Sequence, residues 1–333
     1  MPSCLITGAT GFVGSNLASR LCESGWSVRC LRRATSSSAN LDGLPVEQTV
    51  GALDDPGSIR QAVDGVDVVF HLAGRTSGIR YAEFHRDNAD GTRAVAEACL
   101  DRQTKPTLVF CSSMAAGGPS EEGRPRVESE PARPVSEYGR SKLAAEEALL
   151  EFAEKLAVSI LRPPIIFGPA DRASLAMYQG IRNLRLHPLP GYRRFPVSLI
   201  HAADLAAAFE MVAERGERLR KDGPPGQGVY YAAAERSIGY GEMGRLAAAA
   251  YGKSVVALPM PKFLFRLAGR GGTLKGRITG RPGLVNRDKI REAVAPGWVC
   301  SDAKLRGLGY SQASPLEQRF AETVAWYREH GWL

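Results

Sequence analysis

One turn constrains this chain more than any other feature. Residues 3–7 read as a short apolar strand that runs directly into Thr7-Gly8-Ala9-Thr10-Gly11-Phe12-Val13-Gly14. An amphipathic helix starts at once, over residues 12–24, and Gly25 ends it. A glycine-rich turn between a strand and a helix lets backbone N–H groups approach a diphosphate, whose charge the helix N-terminus favours. Three spaced glycines alone carry little weight; at the opening of a strand–helix–strand unit they are specific. The bland alternative is a tight turn that serves packing only. The turn nominates Gly8, Thr10, Gly11, Phe12, Val13 and Gly14 as dinucleotide-binding residues.

The rest of the first half repeats this rhythm. Strand patterns at 26–31, 66–71, 107–111 and 158–161 alternate with helical ones at 56–63, 88–101 and 137–155. Such alternation predicts an α/β fold, a doubly wound parallel sheet with helices on both faces. Beyond about residue 170 the pattern loosens. We read a helix at 174–183, a Pro/Gly/Arg-rich loop from Leu186 to Pro196, a strand at 197–200 and a helix at 203–214. A Gly/Pro-rich linker (220–228), an apolar segment with basic edges (260–268) and a closing helix at 314–330 follow. Ser314 is the expected N-cap of that last helix, with Pro315 at its first position. The expected division is a dinucleotide-binding domain over 1–170, aided by about 197–215, and a smaller, irregular substrate-binding region over 171–333.

Composition narrows the function classes. The net charge is +8, which suits an anion-binding cleft, a nucleic acid or an acidic membrane surface. No zinc-finger or RNA-binding pattern accompanies the charge, so nucleic acid is disfavoured. The six cysteines form no Cys-x-x-Cys pair and most sit in apolar runs, which fits reduced, buried thiols and predicts no metal site. No apolar run is long enough to span a membrane and no leader pattern opens the chain, so a cytoplasmic protein is expected, with peripheral membrane contact left open.

A reacting centre is legible at Tyr138-Gly139-Arg140-Ser141-Lys142, which opens the helix after the fourth strand. Residues four apart share a helical face. An ammonium beside a phenol stabilises the phenolate, so Tyr138 can exchange a proton with a carbonyl or alcohol, with Lys142 lowering its pKa. The ribose-binding position is equally telling. An acid after the second strand would bond the 2′-hydroxyl of NAD, but Arg32 and Arg33 stand there. Guanidinium groups suit a 2′-phosphate, so NADP is preferred over NAD.

The Gly-x-x-Gly-x-x-Gly spacing resembles the short-chain dehydrogenase/reductase superfamily. The run from Thr7 to Arg33 is similar to its extended branch, the NAD-dependent epimerase/dehydratase family, and the likeness extends over nearly the whole chain. Dihydroflavonol-4-reductase-like and 3β-hydroxysteroid-dehydrogenase-like members are nearest in character. The resemblance implies a Rossmann-type sheet and further roles by position. Ser113, 25 residues before Tyr138, would hold the substrate oxygen, with Ser112 the neighbour most easily confused with it. Asn88 would brace the site from its helix start. Leu53, in Gly51-Ala52-Leu53, would pack on the adenine, although Ala52 replaces the usual acid. Leu72, Ala73 and Gly74 would pass beneath the cofactor, and Pro163 and Ile166 would flank the nicotinamide, their rigid backbone leaving polar groups for its carboxamide. His71 and His201 read as structural, and Asp204 as a cap for the helix at 203–214.

Two reactions share this apparatus. One is hydride transfer between NADP(H) and a ketone or secondary alcohol; the other is nucleotide-sugar epimerisation. Met114-Ala115-Ala116 occupies the place where family dehydratases carry an acid pair, which disfavours dehydration. The stretch 190–198 has Arg193 and Arg194 but lacks the Arg-Asp pair typical of nucleotide-sugar enzymes, which shifts weight to ketone reduction. The segment Met260–Ala268 suggests a hydrophobic, lipid- or steroid-like substrate, and the arginines allow an anionic one. A third reading, a non-catalytic NADP-binding sensor, does not require Ser113, Tyr138 and Lys142 together. The resemblance also suggests a homodimer paired through 88–101 and 137–155.

Overall fold

The computed structural model describes every residue except Arg193, Arg194, Pro282 and Leu284. Seven strands form its main sheet: β1 (Ser3–Thr7), β2 (Ser27–Arg32), β3 (Glu47–Val50), β4 (Val68–His71), β5 (Thr107–Cys111), β6 (Val158–Arg162) and β7 (Val229–Tyr231). Their order is β7-β6-β5-β4-β1-β2-β3, and every neighbouring pair is parallel. This is a Rossmann-type, doubly wound sheet.

Successive strand residues turn to opposite faces, and both faces are apolar. Ile6, Phe70, Val109 and Leu161 meet α1 (Phe12–Glu23) and α5 (Ala202–Arg215), through Leu17, Leu21, Leu205 and Phe209. Their neighbours Leu5, Val69, Leu108 and Ile160 meet α2 (Pro56–Val63), α3 (Gly91–Leu100) and α4 (Glu137–Leu150), through Ile59, Val95, Ala145 and Leu149. Each such buried Leu, Ile, Val or Phe side chain contributes about 1.5–3 kcal/mol. β1 lies between β2 and β4, so the winding reverses there. A crevice opens outside the carboxyl ends of β1 and β4, where α/β sheets bind ligands.

The C-terminal half is built differently. Three two-stranded ladders pair Ile165–Phe167 with Leu199–His201, Pro196–Val197 with Ile238–Gly239, and Leu186–Pro190 with Val256–Met260. The first two ladders and the helices Arg172–Leu184, Tyr240–Ala250 and Leu316–Glu329 share a third core around Phe167, Tyr178, Trp298, Phe320 and Tyr327.

Several boundaries differ from expectation. β3 was not anticipated. The helix of the 88–101 pattern opens with a wider π turn, Arg86–Asp90, before α3. α4 stops at Leu150 and continues as turns. The segment at 260–268 is the start of an 18-residue helix, Lys262–Thr279. The last helix has Pro315 at its N-cap and no side-chain cap, so Ser314 does not serve there. No helix among the described residues is long and apolar enough to cross a membrane. All six cysteines are free, and burial pushes the Cys30 and Cys99 thiols up to about 12.

Candidate active site

The glycine turn makes its spacing intelligible. Gly8 has φ +74°, and a Cβ there would lie 2.7 Å from the Ala73 nitrogen. A Cβ at Gly14 would lie 2.2 Å from the Gly8 carbonyl oxygen. The first position needs a left-handed backbone, and the third lets the helix pack against its own turn. Gly11 caps α1 in extended backbone, with no side-chain cap and no acid in the first turn. The N-terminus of α1 is therefore free to receive an anion.

A cavity of about 1400 Å³ begins at this turn and runs along the strand ends. It is lined by Gly8, Thr10, Gly11, Phe12, Val13 and Gly14, by Arg32, Arg33 and Leu53, by Leu72, Ala73 and Gly74, and by Ser113, Tyr138, Lys142, Pro163 and Ile166. Of the anticipated residues only Asn88 stands behind the wall. The cradle at Gly8, the uncapped helix start and the cavity's length suit a dinucleotide. At the ribose end, Arg32 donates to Gln48 Oε1 at 2.9 Å, Arg33 is exposed, and no acid follows β2. Asn40, which the sequence did not single out, lines this end and donates to the Thr10 carbonyl at 3.0 Å.

Behind the turn, His71 is fully buried between Thr7 (Nδ1, 2.6 Å) and Thr92 (Nε2, 3.0 Å). Burial, and secondly the Lys142 charge, lowers its pKa to about 3, so it stays neutral and structural. Asn88 sits in the π turn with no exposed surface. Its Oδ1 accepts from the Arg75 N–H at 2.6 Å, and its Nδ2 donates to the Arg75 carbonyl at 3.0 Å and to Ser141 Oγ at 2.8 Å. It ties the loop after β4 to the helix carrying Tyr138.

At the far end of the cavity Tyr138 and Ser113 both line the wall. Burial raises the phenol's pKa, and the neighbouring Cys111 thiol adds to the rise. The Lys142 ammonium donates to the Cys111 carbonyl at 2.8 Å and lies 4.7 Å from the centroid of Phe110; burial lowers its pKa. Burial dominates at the phenol, and the Lys142 ammonium is directed to the strand end. Ser113 also caps the short helix Met114–Gly117, accepting from Ala115 N–H at 3.1 Å. Ser112 is committed elsewhere. Its hydroxyl donates to Glu146, which receives a bidentate pair from Arg162 at 2.9 and 2.5 Å, all three buried.

Other expectations are corrected. His201, not Asp204, caps α5, accepting from Ala203 N–H at 3.3 Å. Asp204 instead forms a buried pair with Arg319 of the last helix at 2.9 and 2.5 Å. Arg193 and Arg194 lie outside the described residues.

The C-terminal half closes the reacting end. Pro188, Pro190, Phe195, Tyr240, Met243, Phe265 and Trp298 give it an apolar wall. The short helix Arg287–Ala293 grips the start of α4. Asp288 accepts from the N–H groups of Glu137 (2.6 Å) and Tyr138 (3.2 Å), and Glu292 accepts from the Ser136 hydroxyl at 2.6 Å. Lys289 Nζ stands 4.6 Å over the Tyr138 ring. These contacts join residues some 150 apart, and no local pattern announces them.

A Rossmann-type sheet with a glycine cradle at its switch point defines a dinucleotide-binding α/β protein. The chain belongs to the NAD dependent epimerase/dehydratase family, whose model matches residues 4–224, within the extended short-chain dehydrogenases/reductases. It is 32% identical over 333 residues to a ceramide reductase of Caulobacter vibrioides, covering 98% of this chain and 95% of that one. A putative dihydroflavonol 4-reductase of Synechocystis is 28% identical over 340 residues, with 98% and 95% covered. The fold matches that of Thermus thermophilus UDP-glucose 4-epimerase, solved with NAD, at a TM-score of 0.76 and 22% identity, over 98% and 99% of the two chains.

Proposed function

We propose that this protein is an NADP(H)-dependent reductase of a ketone on a hydrophobic, lipid- or steroid-like substrate. One observation carries the reading. A single cavity joins the glycine turn, Ser113 and Tyr138, and an apolar wall from the C-terminal half. The likeness to a ceramide reductase and a putative dihydroflavonol 4-reductase supports it. The bound dinucleotide supplies the hydride. Ser113 Oγ holds the carbonyl oxygen beside Tyr138, and Tyr138 Oη donates the proton that completes the alcohol. A phenol whose pKa is raised by burial stays protonated near neutrality, the state a reduction needs. Lys142 and Asn88 hold the strand end and the tyrosine helix in register. Arg32 and Arg33, with no acid beside them, favour NADP, and pairing through α3 and α4 as a homodimer belongs to the same proposal.

The test supplies NADPH and a panel of long-chain and polycyclic ketones, and follows absorbance of the reduced cofactor. Net oxidation is expected, with a slower rate on NADH. Tyr138→Phe should lower turnover about 10²–10⁴-fold with dinucleotide affinity unchanged by fluorescence titration. If a UDP-sugar is epimerised with no net cofactor change and no ketone is reduced, the epimerase reading replaces this one. If dinucleotide binds and neither reaction occurs, the sensor reading does.

A further inference from the structure

The helix Lys262–Thr279 carries two opposed stripes. Phe265, Gly269, Gly272 and Gly276 face inward. Gly269 and Gly276 are buried, a Cβ at Gly269 would meet Ile290 at 2.7 Å, and one at Gly272 would meet the Val285 carbonyl oxygen at 1.9 Å. Glycine here permits a close approach to the segment 285–290. Phe265, on the same side, lines the reacting end of the cavity.

The opposite stripe is Phe263, Leu267, Leu274 and Ile278. At 3.6 residues per turn these four fall within about 60° of one another. Their exposures are 61, 62, 59 and 76%. The ordinary expectation for such a helix is domain packing, and here the packing face is the glycine face. Cations flank the outward stripe: Arg266, Arg270 and Arg277 along one side and Lys275 on the other, all exposed. The helix contains no Asp or Glu.

We propose that this helix seats the protein on an anionic lipid bilayer, with the Phe263–Ile278 stripe in the headgroup–acyl boundary and the flanking cations against lipid phosphates. An apolar stripe edged by Lys and Arg is the pattern that lies in a membrane interface, and each surface cation adds to attraction for anionic lipid. A second copy of this chain is a poor occupant, because facing stripes would juxtapose arginines with no acid on either helix to offset them. The position gives docking a purpose. Phe263 and Phe265 stand on opposite sides of one turn, so the face that meets lipid and the wall of the cavity are joined by a single helix. A lipid-like ketone would then reach Tyr138 without crossing water. That purpose rests on the reductase reading; the docking itself does not.

The experiment is co-sedimentation of the full chain with vesicles of phosphatidylcholine containing phosphatidylglycerol, and with phosphatidylcholine alone. Binding to the anionic vesicles is expected to exceed binding to neutral ones by about tenfold, and to weaken as salt is raised. The double variant Leu267→Glu/Ile278→Glu should lose about tenfold of that binding, with unchanged melting temperature and unchanged reduction of a short, water-soluble ketone. Absence of binding to anionic vesicles overturns the proposal. So does a variant that binds as the parent does, and so does a parent dimer in gel filtration that the variant splits without any vesicle binding. If vesicles bind as expected but no ketone oxidises NADPH, the docking stands and the reductase reading falls.

Discussion

The two halves of this molecule build their shares of the cavity by different means. At the dinucleotide end, backbone does the shaping: a left-handed glycine, an uncapped helix start, and strand ends fixed by a parallel ladder buried on both faces. At the reacting end, side chains from distant segments do it: Asp288 and Glu292 on the start of α4, and the aromatic rings of Phe195, Tyr240, Phe265 and Trp298. The first end should tolerate side-chain change on its rim, whereas the second should be sensitive to single contacts. Three changes sharpen or break that contrast.

The largest effect is expected at the buried Ser112–Glu146–Arg162 cluster, where sheet and α4 meet. Glu146→Ala leaves a buried guanidinium without its partner, which costs about 3–5 kcal/mol. Urea unfolding reads it, and Glu146→Gln, which keeps one acceptor, should fall between. A loss under about 1 kcal/mol would show that water reaches this site.

Next comes acid. His71, in the sheet half, has a folded pKa near 3, against about 6.5 in the unfolded chain. The unfolded state therefore takes up a proton first. His71's contribution is whole above about pH 6.5 and declines as pH falls toward 3. Between pH 7 and 4 that decline is on the order of 2–3 kcal/mol. His201, in the other half, is lowered to about 4 and acts in the same direction. Glu128 and Asp171, raised by burial, tilt the other way, so the quantity to measure is a difference. The pH profile of melting temperature should be flatter in His71→Gln than in the parent, and equal slopes would remove His71 from the account.

The smallest effect is at Asp288. Asp288→Ala strips two acceptors from the start of α4 and should cost about 1 kcal/mol. Because it touches the tyrosine helix and not the glycine turn, kcat should fall a few-fold while dinucleotide affinity holds. Asp288→Asn should restore most of the rate. A matching fall in dinucleotide affinity would mean that the two ends are not built independently.

What the sequence made legible follows the same divide. The turn at 7–14, the helix at 56–63 and the strand at 107–111 carry their signals within a few residues, and each appears where periodicity and glycine spacing predict. β3 escaped notice because Glu47-Gln48-Thr49-Val50 has a single aliphatic residue on an edge strand. The helix Lys262–Thr279 was read as half its length because Gly269, Gly271 and Gly272 look like breakers, although two of the three serve close packing. Spacing to Tyr138 favours Ser113 over Ser112, and the structure adds that Ser112 is engaged by the buried Glu146. That partner had a signal, since a glutamate four residues after Lys142 shares its helical face. Asp204 was legible as an acid at a helix start, but its pairing with Arg319, 115 residues away, was not.

The clasp of Asp288 on the first turn of α4 also sets a sequence of events during synthesis. The glycine turn lies within the first fourteen residues and Tyr138 opens α4, yet the carboxylate that accepts from the Glu137 and Tyr138 N–H groups comes 150 residues later. The start of α4 gains that contact, and the apolar wall beside Tyr138 is completed, only when nearly all of the polymer has emerged.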